Sequence, residues 1–180
     1  MKTVKIDRRR RYTLSVIREA FFALLAEAGF AKMTVADICR RADINRGTFY
    51  LHYVDKYELL DEVIDEALEA NPPLGGSRPE SLCQKAPANA DYRLLYTQPG
   101  LFARVAQRVV EHGAKEMVPK IMEATGLPED KASLLFIFTA NGNLAVNRML
   151  GWEQGPGFDQ AQALIAQFAE HGYAGFREDA

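Results

Sequence analysis

The chain has 180 residues, 48% hydrophobic and 26% charged, which suits one globular domain, or two small ones, around a sizeable core and excludes collagen and wholesale disorder. Two cysteines, Cys39 and Cys83, are too few for a disulfide scaffold, and no apolar run approaches the roughly 18 residues that cross a bilayer. The net charge of −2 conceals an asymmetry: residues 1–60 hold 12 basic and 7 acidic side chains, residues 61–180 hold 10 and 17, so a basic head precedes an acidic body.

Nearly every long segment has helical spacing, and no alternating run is long enough for a sheet, so the expected fold is all-α. The basic start, MKTVKIDRRRRYTLS, leads into no signal-peptide core, and the expected location is the cytoplasm. Leu14, Ile17, Phe21, Leu24, Leu25 and Ala28 give a first helix over 13–28, ended by Gly29. Thr34 with Asp37 caps a short second helix that ends near Ala42. After the break Asp43-Ile44-Asn45, Asn45 caps a third helix through Tyr53. Asp55 with Glu58 forms another cap, and Val54 with Leu59 the positions of a hydrophobic staple, so the fourth helix runs from Lys56 to Asn71 before Pro72-Pro73.

Residues 72–90 gather proline, glycine and small polar residues and read as a connector. Beyond it, helices are expected over about 91–97, 101–125, 128–150 and 158–172, with Pro119 free to kink or split the second and Gly172 suited to end the last. The expected division is residues 1–60 and 61–180, with the fourth helix serving both halves. Leu134, Leu135, Phe136, Ile137, Phe138, Leu144, Met149 and Trp152, together with Phe158, Leu164, Ile165 and Phe168, offer apolar surface for a monomer core and for a second copy's identical helices.

Two short helices, a tight turn and a basic flank are the layout of a helix-turn-helix, whose second helix enters the DNA major groove. Phe49 and Tyr53 share one face of that helix and can pack inward on Ile17, Phe21, Ile38 and Ala42. The opposite stripe is then Arg46, Gly47, Tyr50 and Leu51: a guanidinium for a guanine edge or a phosphate, a backbone free to approach closely, a phenol, and a side chain for a thymine methyl. Thr48, His52 and Lys56 form an adjacent row suited to phosphates.

Thr34-Val35-Ala36-Asp37-Ile38 followed by Asn45-Arg46-Gly47-Thr48-Phe49-Tyr50-Leu51-His52-Tyr53-Val54-Asp55-Lys56-Tyr57-Glu58-Leu59-Leu60 closely resembles the TetR family of bacterial transcriptional regulators, over about residues 10–62. The resemblance implies a three-helix DNA-binding head on a helical body that binds an effector and dimerises through its last two helices. It also implies that Thr48, Tyr50, His52 and Lys56 face DNA and that Tyr53 is partly core. Asp43 stands where the family usually has a turn glycine, and Asn45 replaces the commoner Ser or Thr cap. After residue 70 the likeness is one of layout alone.

The expected DNA-facing set is therefore Thr34, Arg46, Gly47, Thr48, Tyr50, Leu51, His52, Tyr53 and Lys56. The expected partners are a pseudo-palindromic double-stranded operator, a second copy of the chain bound through the last two helices, and a small-molecule or protein effector that releases a repressor. Membrane binding is not expected. Phe102, Val105, Met117, Met122 and Phe138 are the candidates for an effector pocket, with plain core packing the competing reading. Arg8-Arg9-Arg10-Arg11 is either a minor-groove arm or a solvated one. Cys39 reads as core, and Cys83 as either a reactive or an ordinary exposed thiol. His112 and Glu116 are too few for a metal site, no catalytic constellation is marked by spacing, and no cofactor or enzymatic activity is expected. The alternative is a helical protein-binding adaptor whose head does not touch DNA.

Overall fold

Helix α1 spans Arg8–Ala28, α2 Val35–Arg41, α3 Arg46–Tyr50, α4 Lys56–Ala70, α5 Ala90–Thr97, α6 Phe102–Thr125, α7 Glu129–Met149 and α8 Pro156–Glu178. The computed structural model describes residues 8–70, 90–153 and 155–178, and among them there is no strand. The connector expected over 72–90 lies outside the described residues except for its last, as do Cys83 and residues 1–7. No helix among the described residues is long and apolar enough to cross a membrane.

The described residues fall into two units. One ends at Val63 and takes in Gln98–Gly100; the other begins at Ile64 and resumes at Leu101. The boundary thus falls inside α4, whose buried residues divide into Leu59, Leu60 and Val63 on one side and Ile64, Ala67 and Leu68 on the other.

In the first unit α1 packs on α2 and α2 on α3. Ile17, Phe21, Leu25, Ile38 and Phe49 are buried at its centre, because the three-and-four spacing of α1 turns one stripe inward. α1 begins five residues before the expected Thr13, since arginine is a good helix former and nothing in Arg8–Tyr12 breaks the turn. It ends at Gly29, whose φ of 76° lets its N–H donate to the Leu25 carbonyl at 3.1 Å. Gln98 Nε2 donates to the same carbonyl at 3.2 Å.

In the second unit α6 packs on α5, α7 and α8, and α7 on α8. Of the kink or split open at Pro119 the split is absent, since α6 is one helix through it; α6 closes at Gly126, with φ 74°. Arg108 of α6 pairs with Asp65 of α4. α8 runs through Gly172 to Glu178, because Gly172 meets no need for a left-handed residue there and a lone glycine lowers helix stability without ending the helix. At the α7–α8 corner Trp152 adopts a φ of 58° and is buried with its ring centroid 4.4 Å from that of Tyr96.

Candidate nucleic-acid interface

Two caps set the geometry of the paired short helices. Thr34 Oγ1 accepts from the Asp37 N–H at 3.2 Å, and Asp37 Oδ2 accepts in return from the Thr34 N–H at 3.1 Å, so the α2 start is closed from both sides. The Thr34 hydroxyl beside it holds the Asp37 carboxyl below the ordinary carboxylate range, with the Thr34 N–H and the Arg40 guanidinium adding to the effect. Asn45 Oδ1 accepts from the Thr48 N–H at 2.8 Å and closes the start of α3. Between them Asp43 takes the left-handed turn, with φ 52°, where the chain reverses.

α3 is a helix of only five residues, three shorter than its expected span to Tyr53, yet its anchoring is as expected. Phe49 is fully buried, with its ring 5.5 Å from that of Tyr53 and edge-on to Tyr50 at 5.6 Å. The opposite side is open: Arg46 and Gly47 are exposed, Tyr50 is 55% exposed and Leu51 81%. Thr48 and His52 are half-buried at its edge, and Thr34 is exposed at the α2 start. Gly47 has a local reason to be glycine, since a Cβ there meets the capping Asn45 Oδ1 at 3.1 Å.

Two members of the expected DNA-facing set are placed differently. Tyr53 is 3% exposed and its hydroxyl donates to Glu62 Oε1 at 2.9 Å, so it belongs to the core that supports α3. Lys56 does not join Thr48 and His52 in an open row. Its ammonium donates to the Phe30 and Met33 carbonyls at 2.9 and 2.8 Å and stands 4.6 Å from the Phe30 ring centroid, and these contacts direct it inward to the loop between α1 and α2.

The hydrophobic staple also fails to form, because Val54 is 77% exposed while Leu59 is buried. Glu58 Oε2 instead accepts from the Val54 N–H at 2.5 Å, and Asp55 Oδ1 accepts from the Glu58 N–H at 2.9 Å, so carboxylates alone close the start of α4. Val54 and Tyr57 thereby join Tyr50 and Leu51 as exposed large side chains of this segment. Sequence spacing assigned Val54 inward and offered no signal for its exposure.

The five effector candidates differ in burial. Val105 and Met117 are buried core residues, Phe102 and Met122 are half-buried, and Phe138 is 67% exposed. Phe136 takes the inward position instead; two residues along a helix are about 200° apart, so both cannot face the core. The Arg148 guanidinium carbon lies 4.6 Å from the Phe102 ring centroid. An open polar cleft of about 420 Å³ in the second unit is lined by Asp65, Glu69, Arg108, Glu111, His112 and Lys115, none of them a candidate. No group of three or more His, Cys, Asp or Glu side chains among the described residues could hold a metal ion.

Residues 17–63 match the model of a family described as bacterial regulatory proteins, tetR family. Over 67 residues the chain is 42% identical to the uncharacterized HTH-type transcriptional regulator YxbF of Bacillus subtilis (strain 168). That likeness takes in 37% of this chain and 18% of the relative's length.

Proposed function

We propose that this chain, whose residues 17–63 match the tetR family of bacterial regulatory proteins, binds a pseudo-palindromic DNA operator as a homodimer and represses transcription until an effector releases it. The observation that carries the reading is the two-faced α3: Phe49 and Tyr53 anchor it from beneath while Arg46, Tyr50 and Leu51 stand open. Arg46 reads a guanine edge or grips a phosphate, Tyr50 and Leu51 meet base edges, and Gly47 keeps the backbone close. Thr34, Thr48 and His52 contact the flanking phosphates.

The partner across the dyad is a second copy of the chain. Leu134, Ile137 and Phe138 of α7 and Leu164 and Phe168 of α8 are large apolar side chains left exposed, and a groove on α8 is lined by Leu164, Gln167, Phe168, His171 and Gly172. A twofold operator calls for a twofold protein, and a self-complementary surface supplies it. The half-site centres are then about 34–36 Å apart, or a multiple of that. The effector-responsive body is residues 61–180, and an effector acts by binding one body conformation better than another, weakening operator affinity by that difference. α4 carries the change, since it holds residues of both units.

Selection of bound fragments from random duplex DNA tests the activity directly. An inverted repeat is expected, with affinity falling as salt rises at a log–log slope of about −0.9 per phosphate neutralised. No enrichment at low salt sinks the reading. Phe168→Glu tests the dimer separately: it is expected to give a monomer by sedimentation and to weaken binding to the full repeat.

A further inference from the structure

Among the described residues the second unit buries four polar side chains, Thr125, Asn143, Asn147 and Gln162, and the last three meet one another. Asn143 and Asn147 stand one turn apart on α7, and Gln162 of α8 lies across them, its Nε2 donating to Asn143 Oδ1 at 3.1 Å and to Asn147 Oδ1 at 2.6 Å. All three side chains are buried. Both amide hydrogens of Gln162 are thus used, while its Oε1 is buried without a partner among the described residues.

Stability alone does not favour this arrangement. Asparagine and leucine are close in size and shape, as are glutamine and methionine, so an apolar trio can fill the same space without an unsatisfied carbonyl. The amides supply discrimination between registers. The fork of Gln162 meets both asparagines only when it is level with the gap between them. A slide of α8 by one helical turn, about 5.4 Å, breaks both bonds of the Gln162 amide and takes its donor from each asparagine carbonyl.

We propose that Asn143, Asn147 and Gln162 are positioning residues that lock the α7–α8 register at a cost in stability, as single buried asparagines do in helical coils. The register decides which exposed side chains of α7 stand beside those of α8. Resting on the dimer reading above, the lock therefore sets the surface that the second copy meets.

The test uses the full chain, with melting temperature and the 1H–15N spectrum of α8 as readouts. Gln162→Leu alone leaves two buried asparagines short of a donor and is expected to lower the melting temperature by about 3–6 °C. The triple variant Asn143→Leu, Asn147→Leu, Gln162→Leu is expected to melt at or above the wild type, while its α8 cross-peaks split or broaden where the wild type gives one sharp set. A second triple with Gln162→Met, unbranched and of the same length, guards against misfit of leucine. Two outcomes overturn the proposal: both triples melting as low as the single variant or failing to fold, or both keeping one sharp α8 set. Sedimentation of the wild type is read apart, so a monomer there refutes the dimer and leaves the register result standing.

Discussion

Lys56 Nζ reaches back along the chain to donate to the Met33 carbonyl at 2.8 Å, and to the Phe30 carbonyl beside it at 2.9 Å. The ammonium therefore holds the turn between α1 and α2 against the start of α4. Replacing it with a methyl group removes two charge-assisted hydrogen bonds and a contact with the Phe30 ring. Lys56→Ala is expected to destabilise the head by about 2–3 kcal/mol, read as a lower urea midpoint at unchanged m. The salt slope of DNA binding is expected to change by less than 1, because this cation is engaged within the protein.

Asp43 adopts a left-handed conformation that glycine takes without steric cost. Asp43→Gly is expected to stabilise the head by about 0.5–1 kcal/mol, the relieved backbone strain exceeding the extra entropy of the unfolded chain. The side chain enters no named contact of the interface, so operator affinity is expected to stay within about twofold at fixed salt.

The two faces of α3 separate binding from folding. Tyr50→Ala and Leu51→Ala remove exposed side chains, so the melting temperature is expected to hold while operator affinity falls roughly 5- to 100-fold. Phe49→Ala empties a fully buried position and is expected to cost about 3–5 kcal/mol, enough to unfold a marginal head with or without DNA.

Asp37 gives the head an acid limit. Its carboxyl titrates below its unfolded value, so it contributes stability above that value, about 3.9, and the contribution is lost as pH falls through the lower folded value. Thermal stability is expected to drop below about pH 4, and the drop is expected to be smaller in Asp37→Asn, which cannot titrate. Identical acid profiles for the two proteins would refute the link.

The parts of the fold set by neighbouring residues were legible in the sequence. Thr34 with Asp37 and Asn45 with Thr48 are caps three residues apart, and both form because a cap needs only its own turn. The burial of Phe49 against the exposure of Tyr50 and Leu51 follows from helical rotation alone. What depends on distant chain was not legible. Lys56 finds carbonyls 26 and 23 residues away, which no local spacing encodes. Phe136 and Phe138 are equally apolar, and only packing on the neighbouring helices decides which turns inward. The burial of Asn143, Asn147 and Gln162 carries no sequence signal, because polar residues on a helix ordinarily face water.

Cys39 is buried on the inner face of α2, and its thiol is pushed above the ordinary value by that burial, against a smaller opposing pull from Arg46. A thiol that is both shielded and protonated reacts with alkylating reagents only while the head is open. Its labelling rate is therefore a stopwatch for breathing of the head, and a bound duplex that clamps the head shut slows the clock.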